Sequence, residues 1–96
     1  MAIVHSYVMT ARSGSEAAME QALRDLAAAT REIAGSEGAI VLQDRKEPGK
    51  FMFLEMWDSI ESRGAAGAQL PKEVMTRLMG TVGGPLQMAG YDRLEG

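Results

Sequence analysis

Cysteine is absent from the chain, and histidine occurs once, at His5. The first absence excludes disulfides, thiolate metal sites and cysteine nucleophiles; the second excludes a metal site built from several imidazoles of one chain. No metal is expected. No basic run exceeds the pair Arg45 and Lys46 and the formal net charge is -3, so nothing could lay a continuous positive stripe along a phosphate backbone. Nucleic acid is not an expected partner. Apolar runs stay short of the roughly eighteen residues that a membrane-crossing helix needs, and "MAIVHSYVMT" lacks the basic region and long apolar core of an export signal. The expected setting is the cytoplasm, with no membrane partner. Aromatics make up only 5% of the residues, so the few there are, Trp57 above all, mark positions of interest.

Apolar residues, by contrast, are plentiful: 46% hydrophobic against 24% charged over 96 residues supports a folded core in one domain spanning 1–96. From Ala2 to Ala11 the alternation places Ile3, His5, Tyr7 and Met9 on one face of a strand and Val4, Ser6 and Val8 on the other. "RSGSE" reads as a turn with a capping box between Ser13 and Glu16. A helix over about 15–34 follows, because Met19, Leu23, Leu26, Thr30 and Ile33 recur at three- and four-residue steps before Gly35 ends it. "GAIVLQDRKEPGKFMFLEMW" is a hairpin turning at Pro48 and Gly49. Asp58, with Glu61, caps a short or kinked helix weakened by Gly64 and Gly67; Pro71 opens another with Val74, Met75, Leu78 and Met79 as its apolar face. "LQMAGYDRL" is the fourth strand.

The order strand, helix, strand, strand, helix, strand is the split βαβ arrangement of a ferredoxin-like α+β sandwich with a four-stranded antiparallel sheet. Helices can cover one sheet face, yet both faces are apolar. Ile3, Tyr7, Met9, Val41, Phe51, Phe53 and Trp57 line one; Val4, Val8, Ile40, Leu42, Met52, Leu54 and Met56 line the other. Docking two such sheets face to face would bury the second, so a homodimer is expected.

With that order in place, the chain resembles the antibiotic biosynthesis monooxygenase domains of the dimeric α+β barrel superfamily. The likeness rests on "ARSGSEAAMEQAL", "KFMFLEMWDS", "IESRGAAGAQ" and "LQMAGYDRL", and it covers essentially the full length. The resemblance implies a dimeric barrel and a pattern in which a strand ends in glutamate and an aromatic, matched by Glu55 and Trp57, followed by a short helix carrying a histidine. Nine residues on from Trp57 stands Ala66, and that helix has no imidazole. In the haem-degrading branch the helix histidine is the iron ligand and an asparagine, matched here by Tyr7, assists it; with both missing, only His5 could ligate iron. No cofactor is expected. In the cofactor-independent branch, O₂ oxidises a phenolic polycycle to a quinone, which implies a small phenolic or quinol-like aromatic substrate and O₂ as partners.

Such chemistry needs an acidic substrate that the protein desolvates, orients and deprotonates. Trp57 offers a stacking face and an indole donor, or it is a core tryptophan at a helix entry. His5 has the titration range of a base near neutrality, or it is structural. Glu55 in a dry cavity is a base or acceptor, or it pairs with an arginine such as Arg93. Tyr7 is a donor on the same strand face as His5. These four are the candidate catalytic residues; Phe53, Met9 and Tyr91 are the candidate substrate-binding ones. The rival expectation is a ligand-binding or interaction module that kept the barrel without the chemistry.

Overall fold

The computed structural model describes residues 2–96. Its elements are β1 (Ile3–Thr10), α1 (Glu16–Arg31), β2 (Ser36–Gln43), β3 (Lys50–Trp57), α2 (Ile60–Ala66), a single 3₁₀ turn (Gly67–Gln69), α3 (Lys72–Met79) and β4 (Gln87–Asp92). The strands form one antiparallel sheet in the order β2-β3-β1-β4. This is the ferredoxin-like α+β arrangement that the element order predicts.

Register sets the two faces, since residues directly opposite in an antiparallel pair project to the same side. Ile3, His5, Tyr7 and Met9 lie opposite Trp57, Glu55, Phe53 and Phe51. Those eight share the side covered by helices, and α1 adds Met19, Ala22, Leu23, Leu26, Ala27 and Thr30, all buried, at helical spacing. Val74 and Leu78 of α3 complete the core with them. On the opposite side Val4, Ser6 and Val8 pair with Met56, Leu54 and Met52, which in turn adjoin Gly38, Ile40 and Leu42. Among the described residues no element covers that apolar face, and Ile40, Leu42 and Tyr91 are 43%, 45% and 57% exposed.

Helix boundaries depart from the sequence reading where capping is concerned. The α1 N-cap is Ser15, whose side chain makes no capping hydrogen bond, so the box between Ser13 and Glu16 does not form. Instead the Ser15 N–H closes a turn onto the Arg12 carbonyl at 2.8 Å, and the Ser15 carbonyl accepts from Met19. α1 also stops at Arg31, three residues early, because Glu32 and Ile33 donate to Ala29 and Thr30 in tighter i→i−3 bonds that unwind the last turn. The α2 cap is Ser59, accepting from the Ser62 N–H at 3.1 Å, while Asp58 accepts from both serine hydroxyls and does not cap directly.

Gly35 joins α1 to β2 in a left-handed conformation (φ 88°), and a Cβ there would lie 2.3 Å from the Ser62 hydroxyl oxygen. Both the backbone sign and the space therefore require glycine. Gly35→Ala should lower unfolding stability by at least about 2 kcal/mol, read from the denaturant midpoint, since strain and clash add. An unchanged midpoint would mean that α2 does not pack where it is described.

Candidate active site

β3 is an aromatic strand on its inner side except at one position. Phe51, Phe53 and Trp57 are 2%, 1% and 1% exposed, and Glu55 among them is 7% exposed. A carboxylate so deep needs partners, because desolvation without compensation costs several kcal/mol. It finds two. The Tyr7 hydroxyl donates to Glu55 Oε1 at 2.9 Å, and Arg63 Nε donates to the same oxygen at 3.2 Å. Arg63 Nη2 also donates to the Tyr7 hydroxyl oxygen at 2.9 Å, closing a ring of three side chains from β1, β3 and α2. The geometry follows from local structure: Ser59 starts α2 so that Arg63, one turn in, reaches back over the sheet.

The second carboxylate oxygen, Oε2, has no hydrogen-bond partner among the described residues, yet it is not sealed into the packing. Glu55 and Tyr7 stand in the wall of an apolar cavity of about 250 Å³ bounded by Phe53, Met9, Leu26, Leu78 and other side chains of α3 and β4. The cavity thus has apolar walls except at Glu55 and Tyr7.

His5 lies opposite Glu55 on β1, its ring centroid 6.3 Å from that of Tyr7. It does not line the cavity but a separate shallow pocket with Ile3, Ile60 and Asp92. Its imidazole rests on Gly90, where a Cβ would stand 3.1 Å from Nε2. Burial and the positive charge of Arg63 pull the His5 pKa below its ordinary value, against the opposing pull of Glu55. Burial pushes the Tyr7 phenol up; the Arg63 hydrogen bond opposes this, and the Glu55 charge and hydrogen bond reinforce it. Near neutrality both groups are uncharged.

Three expectations need correction. Trp57 is not in the cavity wall: it packs with Ile3, Ile33 and Ala66, behind Leu70, and Leu70 is the residue that faces the cavity. Its indole N–H is buried without a partner among the described residues. Tyr91 lies opposite Val4, on the uncovered sheet face, because its register parity differs from that of Met88. Arg93 pairs with Glu37 at 3.2 Å, so the partner of Glu55 is Arg63 instead. Arg63 was missed from sequence, although it is the lone cation between Lys50 and Lys72 and follows a strand with an inward carboxylate. Phe53 and Met9 do line the cavity.

Among the described residues no group of three or more His, Asp or Glu side chains could hold a metal ion. The sole imidazole, His5, opens on a different pocket from the cavity. Among the described residues no helix is long and apolar enough to cross a membrane.

Two measurements check this geometry. The imidazole of His5 should titrate below 6.5 by NMR, and Glu55→Gln should lower the midpoint further by removing the neighbouring negative charge. A midpoint that rises in this variant would contradict a carboxylate facing His5. Arg63→Met, which strands Glu55, should cost about 1–3 kcal/mol of stability, less than breaking a fully enclosed pair, since the Arg63 side chain is 34% exposed.

Comparison with known proteins agrees with this architecture. The antibiotic biosynthesis monooxygenase family model matches residues 1–66, which include Tyr7, Glu55 and Arg63. No curated protein matches the sequence. Among solved structures, a candidate antibiotic biosynthesis monooxygenase from Deinococcus radiodurans is 27% identical, with a TM-score of 0.81 over 100% of this chain and 95% of the other. A similar candidate from Chloroflexus aurantiacus is 23% identical, with a TM-score of 0.85 over 100% and 96%. A mutant of SnoaB, a cofactor-independent oxygenase from Streptomyces nogalater, shares 16% identity and a TM-score of 0.85 over 99% and 95%. With a family match over more than half its length and the fold in agreement, the chain belongs to the antibiotic biosynthesis monooxygenase family.

Proposed function

We propose that the chain is a cofactor-independent monooxygenase that oxidises a small phenolic or quinol-like aromatic with O₂. The observation that carries this reading is Glu55, with Oε1 bonded and Oε2 unpartnered among the described residues, in the wall of a cavity that is otherwise apolar apart from Tyr7. A phenol placed there hydrogen-bonds to Oε2 and transfers its proton to the carboxylate: the substrate O–H bond breaks and the Glu55 O–H bond forms. The site's charge is unchanged, because the new phenolate replaces the carboxylate as the counter-charge of Arg63. Tyr7, held neutral, keeps Oε1 and the guanidinium in place. The low-dielectric walls leave the anion poorly solvated and electron-rich, so it supplies the electrons that reduce oxygen. For a ring methylene activated by the phenol, the balance is CH₂ + O₂ → C=O + H₂O. The description of the Streptomyces relative as a cofactor-independent oxygenase supports this reading.

In this reading Glu55 is the base, Tyr7 and Arg63 position it, and Phe53 and Met9 hold the ring. His5, opposite Glu55, is the route by which the proton leaves for solvent, and Trp57 supports Leu70 from behind. The functional unit is a homodimer that buries the uncovered sheet face against its copy, as its apolar composition favours.

Aerobic incubation with quinols and with phenols that carry an activated ring methylene, followed by oxygen uptake and quinone absorbance, should show turnover. Glu55→Gln should reduce it at least about a hundredfold, whereas Trp57→Phe should change it less than threefold. Ligand binding without turnover for every substrate would favour a binding module instead. Sedimentation should give twice the 10.3 kDa chain mass, and Leu54→Lys in the open face should yield a monomer; a wild-type monomer at micromolar concentration would remove the dimer.

A further inference from the structure

The geometry points to a size limit: the cavity accepts a neutral hydroxyarene of one or two rings, hydroxyl inward against Glu55, and gains nothing from a third ring. This rests on the reading of the site as a phenol pocket and narrows it. Three observations carry it.

The first is volume. An apolar cavity of about 150 Å³ takes one benzene ring, so at the same looseness of fit about 250 Å³ takes roughly ten ring carbons, the size of naphthalene. Drug-sized ligands occupy pockets of about 300 Å³ and more. The second is where the walls are rigid. Met9, Leu26, Phe53 and Leu78 are at most 6% exposed and belong to the packed core, so the floor cannot retreat without opening the core. Met79, Leu86 and Met88 are 55%, 36% and 64% exposed and form the mouth, where a third ring would protrude into solvent and bury little further area. The third is the polar end. Oε1 is saturated by Tyr7 and Arg63, so the one vacant polar position on Glu55 is an acceptor, and it selects a ligand that donates a hydrogen bond. A free carboxylate or phosphate on the ligand would face Oε2 with like charge.

The methionines at the wall, Met9, Met75, Met79 and Met88, suit a flat aromatic guest, because thioether sulfurs make favourable contacts with ring edges. They adapt to substituents, but they do not lengthen the cavity.

Calorimetric titration of the full chain with phenol, 2-naphthol, 2-hydroxyanthracene and 2-methoxynaphthalene tests this. From phenol to naphthol the dissociation constant should fall about fivefold to tenfold, the gain expected for burying the second ring. From naphthol to hydroxyanthracene it should change less than twofold, and methylating the naphthol oxygen should weaken binding at least tenfold. Met75→Ala, which opens the wall from α3, should restore a gain for the third ring. Affinity that keeps rising through three rings in the wild type would overturn the size limit while leaving the phenol pocket intact. Equal affinity for naphthol and its methyl ether would overturn the inward hydroxyl. Absence of binding by every member would overturn the phenol reading itself, together with the limit derived from it.

Discussion

A carboxylate stands in the middle of an aromatic strand, and the rest of the site is arranged around keeping it there. Glu55 is flanked along β3 by Phe53 and Trp57 and is 7% exposed, so water alone compensates little of its charge. The fold compensates it with a cation from above and a phenol from the neighbouring strand. The partners come from other elements: Tyr7 is 48 residues before it on β1, and Arg63, 8 residues away, lies in the helix layer. The bond ring therefore joins β1, β3 and α2, and it forms only when sheet and helix have both docked. A buried ion pair of this kind adds little net stability, because desolvation offsets most of the attraction. Its retention in so small a core is more readily understood through what the remaining oxygen can do.

The same arrangement explains why α2 must be where it is despite its weak composition. Gly64 and Gly67 make it a poor helix by propensity, and it frays into a 3₁₀ turn after Ala66. What fixes it is its first turn. Ser59 accepts from the Ser62 N–H, Asp58 accepts from the Ser59 and Ser62 hydroxyls, and Gly35 leaves room for Ser62 against the α1–β2 turn. The cap thus transmits the position of that turn to Arg63. The two ends of the cavity come from different parts of the chain: Tyr7 and Glu55 lie within the family match, while Leu70, Met75, Leu78, Met79, Val82, Leu86 and Met88 lie beyond residue 66.

Strand periodicity made the sheet legible in the sequence. Inward and outward sets on β1 and β3 could be read off directly, because alternation has a period of two and the registers are regular. Met19, Leu23, Leu26 and Thr30 likewise announced the buried face of α1. Capping was less legible: several serines and acids compete near each helix start, and the winner depends on the path of the preceding turn. At the site, the inward placement of Glu55 and Tyr7 was legible, but the identity of the cation was not. Arg93 and Arg63 are both within reach of a strand end in sequence terms, and only the packing angle of α2 distinguishes them. Trp57 misled for a related reason. Parity put it on the correct face, two residues from Glu55, but parity cannot say that the cavity stops at Leu70.

The position of Trp57 also bears on the residue that the resemblance matches to a histidine. That residue, Ala66, is 2% exposed and packs in the same cluster as the indole. An imidazole there would have to displace either the indole or Ile33, since the interior has no slack for a ring beside a methyl group. Large tryptophan and small alanine thus form a complementary pair, filling as one packed unit the space that a ligating histidine would need. That pair commits the sheet end to packing, so the polar side chains Glu55, Tyr7 and Arg63 meet further along β3.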